Sequence, residues 1–142
     1  MAFGDLEDVE EVQEVQDIVE MYEDFREQYP ELTKIADAVH VAVWDRVDEA
    51  IYCWFESLAE ALNRQIGLAD RNIDFTSVFS FFDGKYRKGS KDVKDCIDVS
   101  FVENLFWRVR QEDAAPVWDL LPEHLQELYL GFHGRPPPNG LA

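Results

Sequence analysis

Apolar residues recur at spacings of three and four along most of the chain, the period of a helix buried along one face. Over residues 5–29 the stripe runs Leu6, Val9, Val12, Val15, Val19, Tyr22 and Phe25, which predicts one amphipathic helix. Tyr29-Pro30 ends it, because proline disfavours a helical residue before it and suits the first turn of the next helix. From Thr33 to Ile66 the stripe continues as Ile35, Val39, Val43, Val47, Ile51, Trp54, Leu58, Leu62 and Ile66. One rod of that length would reach about 50 Å, so a kink or break is expected within it. Val39–Trp44 also alternates as a strand would, but no glycine or proline interrupts it and it is read as helix. Gly67 stands where a C-cap is expected.

Asp74 is placed to cap a helix carrying Phe75, Val78, Phe79 and Phe82, and Ile97, Phe101 and Leu105 continue at spacing four. The same region, 73–102, is rich in β-branched and aromatic residues, so a hairpin is the alternative. Two helices joined by a basic loop over 84–94 fit the periodicity better. Residues 111–116 read as a polar break ending in Pro116. A last helix carries Trp118, Leu121, Leu125, Leu128 and Phe132, with Pro122 near its start and Gly134 at its end. The expected fold is all-α, an irregular bundle of five or six helices. It forms one domain over 1–142, with an acidic helix at 5–29, a helical core over 30–134 and a loose proline-rich tail at 135–142. The core should contain Val15, Val19, Val47, Ile51, Trp54, Leu58, Leu62, Phe79, Ile97, Phe101, Leu105, Leu125 and Leu128.

An apolar share of 46% excludes a disordered chain despite a formal charge of −17. That charge is unevenly placed. Residues 1–31 hold twelve carboxylates and one base, Arg26, a net −11, leaving −6 for the other 111 residues. Such a field disfavours direct contact with nucleic acid or anionic lipid and favours a basic protein partner. Like charges at i,i+3 and i,i+4 along this helix each cost a few tenths of a kcal/mol. A basic counterpart would relieve that cost; the plain alternative is a solvated helix face. The outward carboxylates Glu7, Glu10, Glu11, Glu14, Asp17, Glu20 and Asp24 are therefore candidate partner-binding residues. Phe81-Phe82 and Phe106-Trp107 are adjacent aromatic pairs that a helix cannot point in one direction. One member of each is expected at the surface as an interface anchor, with Phe81 and Trp107 the candidates.

No set of residues points to catalysis. There is no Gly-x-Ser-x-Gly, no phosphate-cradling glycine loop and no Glu-x-x-His pair; Asp37-x-x-His40 comes nearest to the last. Neither a metal nor another cofactor is expected, and the chain reads as a binding protein, not an enzyme. Cys53 and Cys96 lack metal-type spacing and are read as two free thiols of a reducing cytoplasm, a disulfide between them being the alternative. No secretory leader and no membrane-length apolar run is visible, so a cytoplasmic location is expected. The basic cluster Lys85, Arg87, Lys88, Lys91 and Lys94 is read as a solvated interhelical loop, able to dock on the acidic first helix of the same molecule, in preference to a nucleic-acid site, which the global field opposes.

The segment Val99-Ser-Phe-x-Glu-Asn-Leu105, followed by Trp118 and the Leu121-Pro122-Glu123 helix start, resembles small helical proteins of unassigned function found in bacterial toxin-immunity loci. The resemblance covers about residues 74–130. It implies an all-α fold and a cognate toxin as partner, and it implies no catalytic residues. The resulting expectation is an inhibitor that neutralises a toxin by occluding a basic surface. The alternative is a phage-type nucleic-acid mimic acting on a restriction or CRISPR complex.

Overall fold

The computed structural model describes residues 6–44, 50–68 and 73–138, with side chains from residue 15 onward. Seven α-helices occupy these residues: α1 (Leu6–Gln28), α2 (Pro30–Trp44), α3 (Ile51–Ile66), α4 (Phe75–Lys88), α5 (Lys91–Asp95), α6 (Gln111–Trp118) and α7 (Glu123–His133). The fold is all-α, with seven helices where the periodicity suggested five or six. Among the described residues there is no strand, and no helix is long and apolar enough to cross a membrane.

Pro30 opens α2 one residue after α1 ends, as its missing N–H allows. Backbone bonds from Tyr29 to Phe25 and from Thr33 to Tyr29, both 2.9 Å, carry the chain round the corner. The 33–66 stripe is broken between α2 and α3, where Ala50 takes a left-handed φ of 54°. The two helices then fold back on each other. Asp37 fastens the arrangement: it accepts both guanidinium nitrogens of Arg26 at 2.8 and 3.0 Å and the Trp54 indole N–H at 2.9 Å. One carboxylate thus ties α1, α2 and α3 together.

The core is rich in aromatic side chains. Phe25 sits among Tyr29, Trp54, Phe81 and Phe82 at centroid distances of 4.8–5.6 Å. Phe82 stacks on Phe101 at 4.0 Å. Such offset and edge-on ring pairs add to the gain from burial. Trp54, Leu58, Leu62, Phe79, Ile97, Phe101, Leu105 and Leu125 are buried as expected. Val19, Ile51 and Leu128 are only half-buried, and Val47 lies outside the described residues. Val15 is 57% exposed, contrary to its place in the expected core. From Val15 onward, α1 turns Ile18, Met21, Tyr22 and Phe25 inward: Tyr22 and Phe25 belong to the expected stripe, while Ile18 and Met21 are buried in place of Val15.

Residues 73–102 form two helices, not a hairpin. Asp74 caps α4 by accepting the Ser77 N–H at 3.0 Å. The basic cluster is not a loop: Lys85, Arg87 and Lys88 lie in the last turn of α4, while Lys91 and Lys94 belong to α5. Cations there face the negative end of the α4 dipole. Gly89 makes the turn between them, where any Cβ would lie 2.6 Å from the Lys85 carbonyl oxygen. α5 runs on into a π-helical turn, Cys96–Phe101, and a 3-10 turn, Val102–Asn104. The wider turn brings Cys96, Ile97, Ser100 and Phe101 onto the core and the 3-10 turn adds Val102, and the Asn104 amide donates to the Ser100 carbonyl at 2.8 Å.

Residues 111–116 are no break either. α6 spans them and carries Pro116 inside. Pro116 is exposed, so the carbonyl it leaves without a donor can meet water, while Ala114 and Val117 face the core. Trp118 closes α6 and does not begin the last helix. α7 starts after Pro122, buries Leu125 and Tyr129, and ends at Gly134 in a left-handed conformation with φ 75°.

Candidate functional site

Two surfaces are candidates for a functional site. The first is the acidic face of α1. The side chains of Glu7, Glu10, Glu11 and Glu14 lie outside the described residues. Asp17 is half-buried, whereas Glu20, Glu23 and Glu27 are exposed and form no ion pair among the described residues. Asp24 accepts the Lys85 ammonium at 2.5 Å, so one cation of the basic cluster does dock on α1. Arg87 and Lys91 pair within their own helices, with Asp83 and Asp95. Phe81 lies half-buried against Phe25 and Tyr29, with the Lys85 ammonium 5.5 Å above its ring.

The second surface is an open groove of about 910 Å³ between α3, the turn that follows Asn104, and α7. Two aromatic side chains stand out from it: Trp107, 54% exposed, and Phe132, 60% exposed. The turn that presents Trp107 holds two non-glycine residues in the left-handed region, Phe106 at φ 64° and Arg108 at φ 58°. This geometry sends neighbouring side chains to opposite sides. Phe106 is fully buried against Trp118 and Tyr129, and Trp107 faces solvent. Left-handed backbone costs an L-residue roughly 1–2 kcal/mol, so other contacts must hold it.

Those contacts come from outside the turn. On α3, the Asn63 side chain accepts the Phe106 N–H at 2.6 Å and donates to the Asn104 carbonyl at 2.8 Å. On α7, His133 Nε2–H donates to the Glu103 carbonyl at 2.9 Å. Groups from two helices thereby replace the hydrogen bonds that the backbone would have made by continuing as a helix.

The groove is mixed in charge. Arg64 pairs with Glu60 at 2.8 Å, and Arg110 with Glu112 and Asp113 at 2.7 and 3.4 Å. Glu56, Glu103 and Arg108 have no ion-pair partner among the described residues. Partial burial, and then the charge of Asp98, push the Glu103 carboxyl above its ordinary range. No lysine lines this groove.

The residues with enzyme-like or metal-like appearance have structural work. Asp37 holds Arg26 and Trp54, and buried His40 shares a 3.0 Å hydrogen bond with Ser57. Among the described residues no three His, Cys, Asp or Glu side chains gather as a metal site. Cys53 and Cys96 are both free thiols. Burial and the neighbouring Cys53 push the Cys96 thiol up to about 12.

Sequence reasoning picked out Trp107 but missed the residues that present it. Phe132 reads only as part of the last helical stretch, and neither Arg108 nor Asn63 carries a local sign of its role. The site thus defines an all-α domain that displays an aromatic and arginine groove on a braced turn. The chain belongs to the family described as Domain of unknown function (DUF7674), whose model matches residues 22–134. That match contains the whole groove and leaves out Glu7, Glu10, Glu11, Glu14, Asp17 and Glu20. No curated protein and no solved structure matches the chain.

Proposed function

We propose that this chain is a cytoplasmic binding protein that neutralises a cognate toxin by covering a basic surface on it. The observation that carries this reading is the state of the acidic helix. Glu20, Glu23 and Glu27 follow one another at i,i+3 and i,i+4, face solvent and have no ion-pair partner among the described residues. The nearby cations Arg26 and Lys85 are already held by Asp37 and Asp24. The repulsion is therefore left for something outside this part of the molecule to relieve. A net charge of −17 would also steer a basic partner toward the chain and raise its association rate. The assignment of that partner as a toxin rests on the resemblance of about residues 74–130 to small helical proteins of unassigned function found in bacterial toxin-immunity loci.

The test is co-expression with the protein encoded by the adjacent reading frame. A toxic neighbour should lose its toxicity and form a stable complex with the chain. Reversing Glu7, Glu10, Glu20, Glu23 and Glu27 to lysine should then slow association about tenfold at low salt, with unchanged helicity and a shallower salt dependence. A neighbour that is neither toxic nor bound, or association indifferent to the reversal, would refute the reading.

A further inference from the structure

The groove beside Trp107 lies on different elements from the acidic face of α1, and its composition suits holding more than steering. Tryptophan and arginine are the residue types most enriched among those that dominate binding energy. Here Trp107 and Arg108 are adjacent, both exposed, and both set on a turn held by Asn63 and His133. A turn whose backbone is already held in place loses less freedom on binding, so more of the contact energy of the residues it carries appears as affinity. Phe132 lines the same groove and supplies a second apolar surface, and a volume of about 910 Å³ leaves room for an inserted side chain.

Charge selects the occupant. Arg64 and Arg110 are already matched by Glu60, Glu112 and Asp113. Among the described residues Glu56 and Glu103 remain as unmatched carboxylates, against the unmatched cation Arg108. The surrounding field of the whole chain is strongly negative. We propose that this groove anchors a cationic protein segment that inserts an apolar side chain between Trp107 and Phe132 and sets a lysine or arginine against Glu56 and Glu103. Arg108, a fork of five N–H donors, would donate to backbone carbonyls of that segment. The proposal takes the basic character of the partner from the functional reading above and adds the place and chemistry of its anchor. In this division of labour α1 governs how fast the partner arrives and the groove governs how long it stays.

The experiment is selection of a phage-displayed library of random 12-residue peptides on the immobilised full chain. Selected peptides should combine lysine or arginine with a bulky apolar residue. Their binding should change the chain's tryptophan fluorescence, weaken at least tenfold in Trp107→Ala and in Phe132→Ala, and weaken several-fold in a Glu56→Gln, Glu103→Gln double variant. Both aromatic positions are more than half exposed, so their truncation should leave the circular dichroism unchanged, and Trp107→Phe should recover part of the affinity. Selection of acidic or uncharged peptides overturns the proposal, as does the absence of any enriched sequence. Self-association of the chain that Trp107→Ala abolishes would give the groove to a second copy and would likewise overturn it. Cationic peptides sensitive only to reversal of Glu20, Glu23 and Glu27 would remove the groove anchor while leaving the acidic-helix reading intact. Peptides that need Trp107, together with an adjacent gene product that does not bind, would retain the anchor and remove the toxin reading.

Discussion

Replacing Asn63 by alanine should release the turn that displays Trp107. The side chain makes two hydrogen bonds, accepting from the Phe106 N–H and donating to the Asn104 carbonyl, at 2.6 and 2.8 Å. Each is worth about 1 kcal/mol net, and leaving a partly buried backbone group without a partner costs a further 1–3 kcal/mol or so. Relaxation of Phe106 and Arg108 out of the left-handed region returns part of this, at most roughly 1–2 kcal/mol per residue. The expected net loss is about 2–4 kcal/mol, measured as a fall in the urea midpoint at unchanged slope. Asn63→Asp keeps the acceptor for Phe106 but sets a carboxylate against the Asn104 carbonyl, so it should rescue little. Amide and indole NMR relaxation of Trp107 should report faster motion in the alanine variant. A loss below about 1 kcal/mol with an unaltered Trp107 signal would show that the turn is held by its own packing and not by Asn63.

Four other outcomes follow from the packing and the charges. Leu58→Ala, at a fully buried site on α3, should cost about 2–5 kcal/mol in denaturant unfolding; a loss under about 1 kcal/mol would place the core elsewhere. Gly89→Ala should cost about 1–3 kcal/mol, because the new Cβ would stand 2.6 Å from the Lys85 carbonyl oxygen and 2.6 Å from Val93 Cγ1; unchanged stability would contradict the α4–α5 turn. Burial, and then the charge of Asp95, raise the Asp98 carboxyl above its unfolded value of about 3.9. The folded chain therefore binds that proton more tightly, and stability from this group is lost as pH rises from the unfolded value through the raised folded one. Asp98→Asn should thus be more stable than the parent at neutral pH, with the gain shrinking as pH falls toward about 4; a gain that grew in acid would reverse the assignment. With its thiol pushed up to about 12, Cys96 should not react with an aromatic disulfide reagent at neutral pH in folded Cys53→Ser protein. It should react fully in denaturant, and rapid reaction in the folded protein would contradict its burial.

Helix formation was legible in local spacing, because a helix that buries one face repeats its apolar residues every three or four positions whatever its neighbours are. The Trp54, Leu58 and Leu62 stripe, the Asp74 cap, the Pro30 corner and the Gly134 end all follow from residues within a turn or so of the feature itself. Which part of a broad apolar stripe faces inward is another matter. Val15 points to solvent while Ile18 and Met21 are buried on the side of Phe25, which meets Trp54 of α3 and Phe81 and Phe82 of α4. Pro116 reads locally as a break and yet sits inside α6, since solvent on its own side can satisfy the carbonyl it deprives of a donor. The groove depended most on tertiary structure. That one of Phe106 and Trp107 must face outward follows from their adjacency, but no glycine between Leu105 and Arg110 signals left-handed backbone. The group that stabilises that conformation is Asn63, 43 residues earlier on another helix. A hydrogen bond between positions so far apart leaves no periodic trace in the chain, so the display of Trp107 and Arg108 became visible only when α3 and α7 were packed on either side of the turn.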